Sequence, residues 1–300
     1  MNDVASTRAE AHDHIQRLRE ARGIKGDYND ISNGVLVSSL NEALNLLSDQ
    51  LYTTPTHFFL ELIQNADDNT YPSGAVPRLH LSLYRKVGKE IFRSDCNEIG
   101  FTFRQLDALT RIGKSTKQAA DGCKGYIGEK GIGFKSVFKV ADVVRIASGC
   151  YEFELNRRNT IGMMLPIPCN FPSDDRIKNH TQFLLELKRN EDYRQIRGDL
   201  KRLGSETLIF LRKLKQLDVS INGERKTYEL RTDNWNSNFG GETATISETT
   251  DQQTKKTKYM IERQTVADLP PDPRREAVAT SEVVVAFAVK DRITPIVKPR

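Results

Sequence analysis

Only four cysteines occur in 300 residues, Cys96, Cys123, Cys150 and Cys169, and they stand far apart. No Cys-x-x-Cys pair is present and no histidine pair lies beside them. That spacing speaks against zinc and against a disulfide framework, and for reduced intracellular thiols. No apolar run approaches the roughly 20 residues of a bilayer-spanning helix. The N-terminal stretch is polar and charged, unlike a secretory signal. A soluble protein of the cytoplasm or nucleus, without a membrane partner, is therefore expected. A dominant charge is also missing: 45 basic and 40 acidic residues leave a net charge of +5. That balance permits nucleic-acid contact without arguing for it, and no aromatic residues interleave a basic patch, so a nucleic-acid partner is not expected. No internal repeat stands out.

Two phosphate-binding signatures are missing as well. A P-loop needs Gly-x-x-x-x-Gly-Lys-Ser/Thr. In Gly128–Ser136, Phe134 intrudes between Gly133 and Lys135. In Ile112-Gly113-Lys114-Ser115-Thr116, Ala108 stands where the first glycine belongs. The dinucleotide order Gly-x-Gly-x-x-Gly is reversed here.

What is present is ample core material, with 38% hydrophobic and 28% charged residues, enough for one large or two modest soluble domains. The most informative stretch is Gly125–Ser136, with glycines at 125, 128, 131 and 133. Glycines this dense suit neither helix nor strand. They let successive backbone N–H groups converge on an anion. From Phe134 onward the pattern turns helical, so the loop is expected to feed a helix N-terminus, where an anion is favoured. Lys130 and Lys135 would add mobile positive charge. The alternative is a plain surface loop, which Ile127, Ile132 and Phe134 between the glycines fit poorly.

Upstream, three helices are predicted. Residues 8–22 carry Ala11, Ile15 and Leu18 at helical spacing. After Asn33, Leu36, Leu40, Ala43, Leu44 and Leu47 form an apolar stripe. The third helix opens at Pro55-Thr56, with Thr56 as N-cap. It buries Phe59, Leu62, Ile63 and Ala66. Along it, Glu61 and Asn65 share one face and Asp68 follows a turn later. Asn65 offers a neutral oxygen to a hard cation such as Mg²⁺, and Glu61 could orient and deprotonate a water. The competing reading is a solvated polar face, yet no lysine or arginine falls between His57 and Pro77.

A hairpin around Val87-Gly88 follows, then a helix near Arg104–Ile112, then the small basic segment Gly113–Lys117, which could fold over a ligand. A second hairpin turns at Ser148-Gly149-Cys150. Met163, Leu165 and Ile167 suggest a strand ending at Pro168, Phe183–Leu187 a buried strand, and Asp192–Leu203 a helix. Thr207–Leu214 looks strand-like, and Val219–Ile221 and Tyr228–Leu230 flank an Asn222-Gly223 turn. Residues 232–256 look like a polar loop or disorder. Val283–Val289 is strand-like with no evident partner, which suggests a chain that continues into something longer. Strands segregate from helices, the mark of an α+β fold.

A helix bearing Glu-x-x-x-Asn, then a turn with an acid and glycine, then Gly-x-x-Gly-x-Gly resembles the GHKL ATPase superfamily of gyrase, the large heat-shock chaperones, MutL and histidine kinases. Phe59–Asp68 is similar to the N-box of its chaperone-like branch, that of sacsin-like and NO VEIN-like proteins, and Ile127–Asp142 is similar to its glycine box. The likeness covers roughly Asn33 to Asn222. It implies a two-layer Bergerat-type α+β sandwich, mixed and mostly antiparallel, with helices on one face. The domains would be a helical extension over 1–32, an ATP-binding domain over 33–222, and a strand-rich extension over 223–300.

By that resemblance the ligands are ATP or ADP with Mg²⁺, and the activity is slow hydrolysis driving conformational change in a larger protein. Partners would be protein clients or further domains. A non-hydrolysing nucleotide-sensing or interaction module is the alternative. Glu61 would polarise the attacking water and Asn65 would ligate Mg²⁺. Gly128, Lys130, Gly131, Ile132, Gly133 and Phe134 would hold phosphates, with Asp68 nearby. Lys114, Ser115 and Thr116 match the pre-lid segment, and Thr181 falls where a family threonine helps hold adenine. The adenine turn departs from Asp-x-Gly-x-Gly. Counting back from Gly100 puts Cys96 at the aspartate position, leaving Asp95, Asn97 or Glu98 to take over the contact. A histidine-kinase reading would need a phosphoacceptor His-Glu motif, which His57 does not supply.

Overall fold

The computed structural model describes residues 3–24, 34–50, 57–111, 133–233, 242–270 and 280–289. Helix α1 (Arg8–Glu20) begins at Thr7, whose side chain accepts from Glu10 N–H, and buries Ala11, His14, Ile15 and Leu18. Its His14 ring lies 2.6 Å from the Tyr151 hydroxyl, so the helix packs on the sheet rather than standing free. Helix α3 (His57–Asp68) buries Phe58, Phe59, Leu62, Ile63 and Ala66, the face expected from its spacing. The Thr56 cap lies outside the described residues. Helix α4 (Phe103–Thr110) opens with a capping box between Thr102 and Gln105.

Helix α2 (Val35–Gln50) corrects the sequence reading. Of the predicted stripe, Leu44 is buried, whereas Leu36 is 86% exposed and Leu40 37%; the Leu47 side chain lies outside the described residues. Polar residues take the inward face instead. Asn41 accepts from Ile161 N–H at 2.9 Å, and Asn45 accepts from Arg157 Nε at 2.9 Å. The irregular segment after the second hairpin has backbone and guanidinium donors to satisfy, and that need outweighs leucine burial here.

Among the described residues, eleven strands form one sheet in the order β11-β10-β9-β8-β7-β1-β2-β6-β3-β4-β5. Hairpins join β1 (Arg78–Lys86) to β2 (Lys89–Cys96) and β3 (Ala141–Ser148) to β4 (Tyr151–Asn156), both as expected. The first turns on Val87 and Gly88, whose φ values of 50° and 72° allow the tight two-residue connection. The β1/β7 pair is parallel and the other described pairs are antiparallel.

Side chains alternate along the central strands, with a register shift in β3 between Ala141 and Val144. Leu79, Leu81, Leu83, Phe92, Phe153, Leu185 and Leu217 enter the main core, which also takes residues from α1 to α4 and from α5 (Asn190–Arg202). The opposite side of the central strands carries a small apolar cluster of Ile91, Ala147, Phe171 and Leu184 beside a polar region. There Asp218 is held by Arg78, Arg225 and Thr227, and Asp175 by Arg93, Tyr84 and Lys86.

Four strand expectations change. Strand β5 is only Ile167–Pro168, because Met163 and Leu165 are buried within turns. Ser205–Phe210 is a 3-10 helix ahead of β7 (Gln216–Ile221), where a strand was expected. The described residues of the polar stretch 232–256 are mostly strand, containing β9 (Glu242–Thr250), the end of β8 (Glu224–Asp233) and the start of β10 (Thr254–Val266), while 234–241 lie outside the described residues. Its many threonines suit a pleated surface, and Ala244 and Ile246 are buried. Finally, β11 (Ser281–Val289) does have a partner, pairing antiparallel with β10.

Candidate functional site

The two stretches singled out by sequence meet in space. Gly133 begins a 3-10 helix, Gly133–Lys139, packed against α3. This short turn replaces the longer helix expected after the glycines. A Cβ built on Gly133 would lie 2.0 Å from Glu61 Oε2 and 2.5 Å from its Cδ. The glycine backbone therefore rests directly on the Glu61 carboxylate. Phe134 is buried with its ring 5.4 Å from that of Phe183, which fixes the end of the glycine box on β6 (Thr181–Leu187).

Lys135 corrects an expectation. Its ammonium is buried, not mobile, and donates to Leu109 O at 2.9 Å and Met163 O at 2.7 Å. Burial without a carboxylate partner brings its pKa down to about 7. Lys135 thus staples the segment after the glycine box to α4 and to the turn before β5. Lys114, Ser115, Thr116, Gly128, Lys130, Gly131 and Ile132 lie outside the described residues.

On α3, Glu61 and Asn65 are half-buried one helical turn apart, on a line that continues to Asn69 just past the helix end. Asp68 is also half-buried, but the deeply buried acid is its neighbour Asp67. The Asp67 carboxylate accepts from the backbone N–H groups of Arg212, Lys213 and Leu214, with its nearest contacts at 2.9, 2.8 and 2.9 Å. Asp67 anchors the helix to the irregular segment that leads into β7, a role the sequence alone did not separate from that of Asp68.

The far end of the α3 line reaches the turn between β2 and α4, where three acidic or amide candidates were open. Asp95 points to the polar side of the sheet, bonded to Arg93 at 3.0 Å and Gln182 at 2.6 Å. Asn97 is committed to the edge of β1, accepting from Arg78 N–H at 2.8 Å and donating to Val76 O at 2.9 Å. Neither joins the others. Glu98 does: it is 3% exposed, with Thr181 and Asn69 as the polar groups that favour its charged form. Burial outweighs them and pushes its pKa up to about 7.

Cys96, at the expected acid position, is a buried thiol pushed up to about 12 by desolvation and touching Tyr71 OH at 3.3 Å. It is neutral and carries no acceptor charge. Thr181 Oγ1 lies 2.6 Å from Ser148 Oγ, which accepts from Phe101 N–H. Gly100 has φ +94°, and a Cβ there would approach Gly149 N at 3.2 Å, so this crossing of two turns requires glycine. Ser148 and Asn69 were missed in the sequence; for Asn69 the signal was visible, since it continues the four-residue spacing of Glu61 and Asn65. Among the described residues, no group of three or more His, Cys, Asp or Glu gathers to hold a metal. A cation here would combine the Asn65 amide with oxygens of its ligand.

The class so defined is a mixed α/β protein with a mostly antiparallel open sheet, and a polar helix face running from a glycine turn to a buried acid. No family model matches the chain. A stretch of 128 residues is 44% identical to part of Protein NO VEIN of Arabidopsis thaliana, a partial homology covering 42% of this chain and 4% of that protein. Among the described residues no helix is long and apolar enough to cross a membrane.

Proposed function

We propose that this chain carries a GHKL-type nucleotide-binding domain that takes ATP with Mg²⁺, hydrolyses it slowly, and so drives conformational change in a longer, chaperone-like protein. The observation that carries this reading is the close approach of Gly133 to Glu61, which joins the end of the glycine box to the helix bearing the acid and the amide. Placement of helical residues in one core against one side of the sheet is in keeping with Bergerat-type layering. The NO VEIN homology is in keeping with the NO VEIN-like branch.

In this reading Glu61 orients the attacking water and takes its proton, because a carboxylate beside the glycine turn stands next to the phosphate end of the site. Asn65, one turn along, presents its amide oxygen to Mg²⁺. A bound Mg²⁺ supplies charge neutralisation at the phosphates. The backbone of the glycine box, including Gly128, Gly131 and Gly133, binds phosphate oxygens through N–H groups. Asn69, Glu98 and Thr181 form the opposite end, where the base sits. Clients or following domains are the partners that such a motor would act on.

Single-turnover hydrolysis by the full chain and by Glu61→Ala tests the reading. A general base acts in the transition state, so turnover should fall about 100-fold while ATP affinity stays near wild type. Equal hydrolysis by both proteins, with ATP bound, would leave the non-hydrolysing module instead.

A further inference from the structure

Strand β11 ends the sheet, and among the described residues no strand pairs with its outer edge. The two ends of the sheet are built differently. At the other end β5 is only Ile167–Pro168, and proline has no N–H to offer a further strand. Strand β11 is nine residues long and follows β10 without a register shift from Ser281 to Val289. It holds no lysine, proline or bulge, the devices that protect a sheet edge from pairing. Its one charge, Glu282, lies on the core side, 3.9 Å from Arg263 and 4.0 Å from Arg212. Val284 and Ala286 pack on the main core from that same side. By alternation Val283, Val285 and Phe287 turn outward, and they stay 47%, 41% and 42% exposed.

We propose that β11 is the surface through which two copies of this chain form a dimer, their β11 strands pairing antiparallel about Val285. The strand is complementary to its own copy. A two-fold axis normal to the sheet at the middle of the strand sets Val285 against Val285 of the second copy. It sets Val283 against Phe287, Val284 against Ala286, Glu282 against Ala288 and Ser281 against Val289. No like charges meet, and the facing pairs are β-branched with β-branched or aromatic, the kind that stabilises neighbouring strands. The same axis keeps the outward faces of both copies on one side. Val283, Val285 and Phe287 of the two copies then form one continuous strip, and the edge N–H and C=O groups pair. Because β5 presents no comparable edge, the pairing closes at two copies and does not propagate. Strands β10, β9, β8, β7 and β1 lie between β11 and β2, so the dimer is independent of the nucleotide reading.

The test is sedimentation equilibrium of the full chain from micromolar to tenth-millimolar concentration. Wild type should approach twice the 34.0 kDa chain mass as concentration rises. Val285→Lys sets two ammonium groups directly opposite each other across the axis, while in a single copy its side chain points to solvent. It should stay folded by circular dichroism and weaken the dimer about 10-fold or more. Val266→Lys is the control, since Val266 is 37% exposed on the same outward face but belongs to β10, opposite Ser281. It should dimerise as wild type does. Hydrogen exchange gives a readout that needs no variant: β11 amides should gain protection as wild-type concentration rises. A chain that stays at 34.0 kDa throughout overturns the proposal. If the β11 amides of that monomer are nevertheless protected, another segment of the chain covers the edge. Equal weakening by both lysine variants also overturns it, because the association would then be stacking of outward faces and not pairing of edges.

Discussion

Gly133 and Glu61 are in such close register that a methyl group on the glycine would occupy the space of the carboxylate, 2.0 Å from Oε2. The requirement for glycine here is steric. Gly133 is not among the left-handed glycines, which include Gly100 and Gly149. What a side chain at 133 displaces is the end of a flexible glutamate rather than backbone.

Gly133→Ala should therefore stay folded, with a stability change within about 1 kcal/mol, the scale of a rotamer shift. It should nevertheless lose hydrolysis to the extent that Glu61→Ala does, on the order of 100-fold. Because both changes remove the same group, the double variant should be no worse than either single one. Hydrolysis rates for the four proteins, with thermal melts as control, check this. Losses that multiply would show that the two residues act separately.

Asp67 should matter to stability and not to nucleotide. Asp67→Ala leaves the backbone donors of Arg212, Lys213 and Leu214 without their buried acceptor. Each such group costs about 1–3 kcal/mol, so a loss of about 3 kcal/mol or more is expected in urea unfolding. Asp68→Ala, at a half-buried neighbouring site, should cost less than about 1 kcal/mol. Equal losses would place the anchor elsewhere.

The contrast between those two aspartates shows where sequence stops. Identical residues, adjacent in the chain, differ because α3 turns one toward the segment 212–214 ahead of β7 and the other away; only the three-dimensional partner distinguishes them. The apolar faces of α1 and α3 were legible because their spacing matched what they pack on. The face of α2 was not, since Asn41 and Asn45 are drawn inward by donors 100 or more residues away. Strands β9 and β10 escaped notice because threonine, serine and lysine on a half-exposed sheet read like a loop when their neighbours are unknown. In the candidate site, Glu61, Asn65 and Gly133 were legible by type and spacing, while Gly128 and Gly131 lie outside the described residues. The choice of Glu98 over Asp95 and Asn97 needed the sheet, whose alternation sends Asp95 to the other side.

Glu98 also makes a pH prediction for the fold. Its folded pKa of about 7 lies above the ordinary 4.5 of a glutamate. The native state thus holds the proton more tightly than the unfolded chain. Stability from this group is complete below pH 4.5 and is lost as pH rises through 7. The shift corresponds to about 3 kcal/mol at most. Lys135, lowered to about 7, acts on the alkaline side of that window: between about 7 and the ordinary 10.5 the unfolded lysine holds a proton that the folded one has released, so stability rises with pH. Denaturant unfolding between pH 5 and pH 7.5 should show wild type weakening as pH rises. Glu98→Gln should be flatter, and more stable than wild type at pH 7.5. A parallel pair of curves would contradict the burial cost at Glu98.

Nucleotide binding itself is tested most directly by calorimetric titration of the full chain with ATP, with and without Mg²⁺, beside the same titrations of Asn65→Ala. The predicted result is saturable one-site binding that Mg²⁺ strengthens, with the Mg²⁺-dependent gain largely lost in Asn65→Ala and metal-free affinity little changed, because the deleted amide is a metal ligand. No saturable heat at millimolar ATP, with or without Mg²⁺, would contradict it.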